Sequence, residues 1–395
     1  MRPLDGVRVL DLSRLLPGPY ATLILADLGA DVIKVEDTGM GDYLRTLPPT
    51  QRGVNPAFLA LNRNKRGMAL DLKATEGRET FLKLVETADI VVEQFRPGVM
   101  ARLGLSYREL ATRHPRIILA SITGYGQTGP QAERAGHDLN YLALSGVLFH
   151  NGPYDNAPAV LPLQVADVAG GSLWAVISIL SALTQRARSG EGAVLDISML
   201  DGVLGLAPLI TASALAAEEA IRRGRHPLMG GAPNYATYMT SDGRAMSVAA
   251  LEPKFWTKVC EAIERPDLID LPVATEERCQ SIRDELTQVF MSRTQSEWID
   301  KFRLHDACVE PVLTEQEALG APQVQVRGFR ETLSIGAGTI DFLHSPILMT
   351  GYARPPATLA PAQGEHTAQI LREIGSAEAD IARWTAIGVI KIAGA

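Results

Sequence analysis

The segment VRVLDLSRLLPGPYATLILADLGADVIKVE, residues 7–36, decides the fold class of this chain. Residues 7–12 and 31–36 are short apolar runs typical of buried strands. Between them, residues 20–28 predict a helix, and Gly29 is placed to end it. A strand, a helix and a second strand of these lengths predict a βαβ unit, and therefore a parallel sheet.

The same alternation continues through the next hundred residues. Strands are predicted at 67–72, 89–95 and 116–123, separated by helical stretches at 75–87 and 98–103. Strands that alternate with helices form parallel sheets covered on both faces. We therefore expect an α/β fold with one large sheet.

The pattern changes after about residue 200, which predicts a second and smaller domain. A long helix at 168–188 and a strand at 193–198 still belong to the first pattern. Residues 236–251 then predict a hairpin around a Ser-Asp-Gly turn, followed by helices at 253–264, 279–292 and 295–305. We assign the chain to a large domain (1–200), a linker helix and loop (201–230), a small α+β domain (231–325) and a return to the large domain (326–395).

Composition excludes several classes of function. The net charge of −7 argues against a nucleic-acid partner, which would require a basic face. The three cysteines, Cys260, Cys279 and Cys308, form neither a CxxC pair nor a zinc spacing, so we predict no metal site. Their odd number and wide spacing favour a reducing, cytoplasmic setting.

Two uncharged runs raise the question of a membrane. They span 168–185 and 202–217, and the second contains Pro208. A bilayer requires about 20 mostly apolar residues, and both runs are marginal. We predict buried core helices and no membrane partner.

The segment GYGQTG, residues 124–129, has the GxGxxG spacing of a dinucleotide site and follows a predicted strand. Its context disfavours that interpretation. Pro130 follows the last glycine, and residues 144–152 contain no acidic residue to bind a ribose. A turn that lets another ligand approach the backbone is the favoured interpretation.

Two basic clusters flank predicted strands of the sheet. One is LNRNKR with Arg63 and Lys65, and the other is FRPGVMAR with Arg96 and Arg102. Each could be a solvated loop. Because they flank strands of one parallel sheet, they could instead converge on phosphate groups at the sheet edge.

Four acid/base side chains are candidates for chemistry. His137 and Asp138 lie in AGHDLNYLALSG, Asp167 in QVADVAGGS and Glu252 in AALEPKFW. Each has a structural alternative: a core histidine, or a cap at the start of a predicted helix for Asp167 and Glu252. No single residue decides between these interpretations.

Taken together, these stretches resemble the family III coenzyme A transferases, and within that superfamily the α-methylacyl-CoA racemase branch. The resemblance is carried by LLPGPYATLILADLGADVIKVE, LNRNKRGMALDLK, FRPGVMARLGL, TGYGQTGP, AGHDLNYLALSGVL, PLQVADVAGGS, GAPNYATYMTSDGR and VAALEP. It implies a large Rossmann-like domain, a smaller domain and two interlocked subunits. It also implies an acyl-CoA substrate and no cofactor beyond the coenzyme A moiety of that substrate.

The resemblance implies a role for each candidate. In the racemase branch, residues matching His137 and Asp167 flank the α-carbon of the thioester. The match to Glu252 orients the histidine from the other subunit, and Tyr141 would support the aspartate, with Asp138 beside the histidine. Arg102 matches an arginine that contacts the phosphates of coenzyme A. In the transferase branch, the match to Asp167 is a nucleophile that forms an acyl anhydride and then an aspartyl-CoA thioester.

Racemase and transferase therefore share most of the site. Many transferases carry a glycine run in a loop over the intermediate, and only Gly230 and Gly231 stand at that place here. That favours racemisation, with coenzyme A transfer as the alternative. Residues 40–60 are longer than in compact racemases, which resembles the transferases. Asp37 stands where racemases usually place a phosphate-contacting arginine, which calls the expected grip on the nucleotide at this turn into question.

Overall fold

The computed structural model describes residues 2–50, 53–153, 155–216, 222–270, 275–335, 338–354 and 356–394. The chain divides into two compact units. Unit 1 comprises Met1–Ser145, Pro162–Pro208 and Gly328–Ala395. Unit 2 comprises Gly146–Leu161 and Leu209–Arg327. Residues 146–161 thus group with unit 2, although the sequence pattern placed them in the large domain.

A seven-stranded sheet forms the centre of unit 1. In the order β12-β3-β2-β1-β4-β5-β6, six strands run parallel and the short β12 pairs antiparallel with β3. The strands are β1 (Arg8–Asp11), β2 (Asp31–Glu36), β3 (Arg66–Leu70), β4 (Ile90–Glu93), β5 (Ile118–Thr123), β6 (Ala193–Ser198) and β12 (Ile390–Lys391). This confirms the predicted parallel sheet.

The strand order creates a crevice at one place on the carboxyl edge. The chain moves from β1 to β2 and β3 in one direction, and from β4 to β5 and β6 in the other. β1 and β4 are neighbours, with Val9 opposite Ile90. In open α/β sheets, ligands bind beyond the carboxyl ends of the strands where the order reverses.

Helices pack around this sheet and bury its apolar side chains. A core cluster in unit 1 includes Leu10, Ile33, Phe81, Val91 and Leu119, all at most 5% exposed. The helices are α1 (Pro17–Asp27), α2 (Pro56–Asn62), α3 (Thr75–Val85), α4 (Val99–Arg102), α5 (Tyr107–Arg113), α6 (Asp138–Leu144), α7 (Trp174–Ser189), α8 (Met199–Leu206), α15 (Thr367–Glu373) and α16 (Glu378–Ala386). A two-stranded hairpin, β10 (Arg330–Ile335) with β11 (Gly338–Leu343), completes the strands of unit 1.

The helix of residues Ala166–Ser189 is the longest apolar one among the described residues, and by length and composition it could cross a membrane. It packs against α1, β5 and β6, burying Val176 and Ile179. This agrees with the predicted core helix. The second apolar run differs in its two halves. α8 buries Met199 and Val203, but α9 (Pro208–Ala216) buries none of its nine residues in the single chain, so the core prediction is wrong for α9.

Unit 2 has its own small sheet and core. The antiparallel strands β7 (Tyr235–Met239) and β8 (Ala245–Ala249) form the predicted hairpin, and β9 (Val309–Pro311) pairs with β8. Trp256 and Trp298 lie in its core. The helices of this unit are α9 (Pro208–Ala216), whose first residue still belongs to unit 1, and α10 (Pro253–Ala262), α11 (Glu276–Phe290), α12 (Gln295–Phe302), α13 (Glu315–Gly320) and α14 (Pro322–Val326).

Candidate active site

Two adjoining cavities lie at the carboxyl edge of the sheet in unit 1. The larger, about 740 Å³, follows the ends of β1 to β4, and we call it the nucleotide cavity. The smaller, about 430 Å³, lies beyond β4 and β5 and contains His137 and Asp167, and we call it the catalytic cavity. The segment Gln94–Phe95–Arg96 lines both cavities and therefore joins them.

His137 and Asp167 reach the catalytic cavity from two different elements. His137 is the residue before α6, and its backbone N–H donates to the Asn140 side chain at 3.0 Å. Asp167 lies in the first turn of the segment Ala166–Leu173, which is wound with wide π-type turns before α7 continues. Such turns are frequent at functional sites. The two candidates are 30 residues apart in sequence and line the same cavity.

Asp138 connects these two elements. Its Oδ1 accepts hydrogen bonds from the backbone N–H groups of Ala166 at 2.6 Å and Asp167 at 3.0 Å. The first N–H groups of a helix have no partner within the helix, so a carboxylate placed there stabilises its start. Asp138 therefore supplies the capping interaction that the sequence allowed for Asp167. Because Asp138 follows His137 directly, these bonds tie the segment that carries His137 to the segment that carries Asp167.

The carboxyl group of Asp167 ionises less readily than an ordinary aspartate. Partial burial raises its pKa to about 7, and the neighbouring negative charge of Asp138 contributes to the same shift. A helix N-terminus alone would favour the ionised form. Burial outweighs that effect here, so both protonation states of Asp167 are populated near neutral pH.

The hydroxyl of Tyr141 is held by the backbone. Its hydroxyl donates to the backbone carbonyl of Gly136 at 2.6 Å, so that hydrogen is not available to Asp167. Burial, and then the charge of Asp167, raise the pKa of Tyr141 to about 12. The ring packs edge-on against Tyr125 with centroids 5.1 Å apart. Tyr141 therefore shapes the loop ahead of His137, and its predicted support of Asp167 would not act through a hydrogen bond donated by this hydroxyl.

The glycines of the GYGQTG segment serve this packing. A Cβ atom on Gly124 would lie 2.5 Å from the Tyr141 ring, so only glycine fits there. Gly129 has a φ of +95° and leads into a turn, and residues 124–137, all of which the structure describes, contain no helix. The helix that a dinucleotide fingerprint would require therefore does not follow Gly129.

Arg63 and Lys65, predicted as phosphate ligands, lie inside unit 1. Arg63 is 2% exposed and holds both carboxylate oxygens of Asp27, at 2.5 and 2.7 Å. The Lys65 ammonium is enclosed by the carboxylate of Asp11 at 3.1 Å and by the oxygens of Pro19 and Asn62. The prediction is wrong for both residues. The physical reason is that a buried carboxylate without a cation is strongly destabilising, so the buried carboxylates of Asp11 and Asp27 hold these two cations inside unit 1.

Other cations line the nucleotide cavity. Arg14 follows β1, Lys73 follows β3 and Arg96 follows β4, and all three side chains are exposed. Arg96, one of the predicted phosphate ligands, lines both cavities. Arg102, another of them, is not among the described residues that line them. Sequence reasoning missed Arg14 and Lys73. Their position just after parallel strands was the signal that could have identified them.

Asp37 also lines the nucleotide cavity, at the place where an arginine was expected. Its Oδ1 accepts from the backbone N–H groups of Gly39 at 2.9 Å and Gly41 at 3.1 Å. The carboxylate therefore holds the turn after β2 in shape. Arg14 and Lys73 supply positive charge to the same cavity.

Glu252 lies in unit 2 as the residue before α10. It is exposed, and Pro253 occupies the first helical position. In the described part of the chain, its side chain makes no hydrogen bond to the start of that helix. The side chain of Glu252 therefore does not cap this helix.

A comparison over most of the chain identifies its family. A sequence model of CoA-transferase family III matches residues 4–367. The chain belongs to CoA-transferase family III. Among its family III relatives, it is 37% identical over 380 residues to alpha-methylacyl-CoA racemase of Mus musculus, covering 96% of this chain and 95% of the relative. It is 33% identical over 387 residues to succinyl-CoA:glutarate CoA-transferase of Mus musculus, covering 95% and 87%.

A solved structure of the family has the same fold. The crystal structure of a CaiB/BaiF family protein from Brucella suis matches with a TM-score of 0.83 and 32% identity, covering 94% of this chain and 99% of that one. Racemases and transferases thus both stand among the family III relatives at similar identity. The family assignment identifies an enzyme of the family III transferase and racemase type.

Proposed function

We propose that this family III enzyme epimerises 2-methylacyl-CoA thioesters by exchange of the α-proton, with His137 and Asp167 as the two acid/bases. The observation that carries the proposal is that both side chains line one cavity, and that burial raises the pKa of Asp167 to about 7. A carboxyl group in that range can donate a proton as well as accept one.

The chemistry explains the need for two such groups. A proton next to a thioester carbonyl is weakly acidic, so a base must remove it while the enolate is stabilised. Inversion at carbon requires a base on one face and a protonated acid on the other. A neutral imidazole and a carboxylic acid meet this requirement, and a carboxylate with an imidazolium meets it in the reverse direction. The reaction needs no cofactor beyond the coenzyme A of the substrate.

The two adjoining cavities support a path for the substrate. In this proposal the nucleotide end of coenzyme A occupies the larger cavity, where Arg14, Lys73 and Arg96 offer positive charge to its phosphates. The uncharged pantetheine arm crosses the segment 94–96. The thioester then lies in the catalytic cavity with its α-carbon between His137 and Asp167.

Coenzyme A transfer is the second candidate, because transferases stand among the relatives at similar identity. Transfer uses Asp167 as a nucleophile, which must be ionised to attack. A raised pKa leaves a smaller fraction ionised at neutral pH and therefore favours the acid/base role. The two candidates differ in one observable product: only transfer acylates Asp167.

Trapping separates the candidates. During turnover with a 2-methylacyl-CoA, hydroxylamine or borohydride should leave no modification on the peptide that contains Asp167, as read by mass spectrometry. Asp167→Asn should abolish epimerisation, and Asp201→Asn, an exposed aspartate on α8, should leave it unchanged. A modified Asp167 would replace racemisation with transfer.

We further propose, from the family resemblance, that the enzyme is an obligate homodimer in which Glu252 of one subunit orients His137 of the other. Glu252→Gln should then lower the rate while light scattering still gives a dimer. Full activity in a monomer at the same concentration would contradict this arrangement.

A further inference from the structure

Arg134 is a cation of the catalytic cavity that the reaction above does not use. It lies on the loop before His137, and its exposed side chain lines the cavity. Among the described residues, no carboxylate lies within 4.0 Å of its guanidinium. Apolar side chains of Leu15, Phe95, Ile122 and Met199 line the same cavity, together with polar groups such as Asn140 and Thr123. The guanidinium of Arg134 therefore faces the space that a ligand of this cavity would fill.

Arg134 does not neutralise the reacting carboxyl group. The pKa of Asp167 is raised, through burial and the charge of Asp138, whereas a guanidinium in contact with it would lower that pKa. Arg134 is therefore not the group that sets the protonation of Asp167. Coenzyme A offers it no partner either, because the pantetheine arm and the thioester carry no charge. Within the substrate, the part that can offer an anion to Arg134 in this cavity is the acyl group.

We infer that the substrate is the monothioester of a short dicarboxylic acid, and that Arg134 binds the free carboxylate at the far end of the acyl chain. This inference rests on the proposed function, in which the acyl group occupies the catalytic cavity. Arginine is always charged and presents paired donors that match a carboxylate. The volume of about 430 Å³ is at the low end for ligand cavities, which favours a short chain.

A competing role for Arg134 is stabilisation of the enolate oxygen. That role would apply to every substrate, because every thioester forms the same enolate. Recognition of the acyl carboxylate applies only to substrates that have one. A pair of thioesters that differ at the chain end therefore distinguishes the two roles.

The experiment compares 2-methylglutaryl-CoA, with the thioester beside the methyl-bearing carbon, and 2-methylpentanoyl-CoA, which ends in a methyl group instead of the carboxylate. The rate of α-deuterium uptake in deuterated water is measured for each. Arg134→Gln should lower kcat/KM for the diacid thioester by about 10- to 100-fold, the range of a hydrogen-bonded charge pair, and change the other by less than about threefold. Arg134→Lys should retain part of the preference, and Arg108→Gln, an exposed arginine on α5, should retain all of it.

Equal losses for both thioesters in Arg134→Gln would overturn the inference in favour of enolate stabilisation. A wild-type enzyme with no preference for the diacid would overturn it as well. Failure of the proposed function looks different: neither thioester would exchange its α-proton. The same pair would then be tested as coenzyme A donors to a carboxylic acid, and a preference for the diacid that depends on Arg134 would sustain the inference without racemisation.

Discussion

Replacement of Asp138 tests how the site is held together. Asp138→Ala removes the acceptor of two backbone hydrogen bonds, at 2.6 and 3.0 Å, from the start of the helix that carries Asp167. Loss of a capping side chain costs about 0.5–2 kcal/mol, and the second bond extends the expected loss to about 1–3 kcal/mol. Asp138→Asn keeps an oxygen acceptor and loses only the charge at the helix start, about 0.3–1 kcal/mol.

The same pair of variants changes the pH dependence. The negative charge of Asp138 helps to raise the pKa of Asp167 to about 7, so Asp138→Asn should lower that pKa. In the direction in which Asp167 donates the proton, the rate falls as pH rises through its pKa, and that fall should begin at lower pH in the variant. Burial, the larger cause, remains, so the pKa should stay above the ordinary value of about 3.9.

Urea unfolding at pH 7 measures the stabilities, and α-deuterium uptake between pH 5 and 9 measures the rate profile. Asp138→Asn is the matched variant, because it separates the lost charge from the lost hydrogen bonds. A rate profile for Asp138→Asn that superimposes on the wild type would refute the electrostatic reasoning. An unfolding free energy for Asp138→Ala within about 0.3 kcal/mol of the wild type would refute the capping role.

Three further changes test other parts of the structure. Lys65→Met removes the ammonium group that pairs with the buried carboxylate of Asp11, so urea unfolding should show a loss of stability of about 3–5 kcal/mol. A stable variant with weakened coenzyme A binding would instead restore Lys65 as a phosphate ligand. Burial raises the pKa of Glu93 to about 7, so this group stabilises the fold below its ordinary pKa, and that contribution is lost as pH rises through about 7. The free energy of unfolding of Glu93→Gln, taken relative to that of the wild type, should therefore increase between pH 5 and pH 8. A constant difference between the two free energies across that range would contradict the assignment. Arg96→Gln should raise KM for the thioester about 10- to 100-fold with little change in kcat, and the rise in KM should be smaller at high salt. A loss confined to kcat would show that Arg96 does not bind the phosphates.

The elements of the large sheet could be predicted because each has a strong local signal. The buried runs of β1, β2 and β5 are bounded by helices and turn residues, and the structure has them within about two residues of the predicted ends. α1 begins earlier than predicted, at Pro17 instead of residue 20. Proline is compatible with the first turn of a helix, so the Pro-Gly-Pro corner belongs to the helix itself.

The site was harder to predict where partners are distant in sequence. Arg63 meets Asp27 across 36 residues and Lys65 meets Asp11 across 54, and nothing local marks these pairs. The bond from Asp138 to the start of the next long helix is equally invisible in the sequence. The apolar pattern of α9 also could not show that its side chains are exposed in the single chain. Local sequence indicates the element, whereas burial and pairing depend on the assembled sheet.

The central claim is that two acid/bases act on opposite faces of one α-carbon, and the stereochemistry of exchange tests it most directly. Each pure enantiomer of a 2-methylacyl-CoA is incubated in deuterated water, without a second carboxylic acid, and deuterium is measured in both product enantiomers at early times. The wild type should epimerise both and incorporate solvent deuterium into the inverted product. His137→Ala should lower epimerisation by about 10²- to 10⁴-fold, with unequal losses of exchange from the two enantiomers. Undiminished epimerisation in His137→Ala, or no α-deuterium uptake by the wild type, would contradict the account.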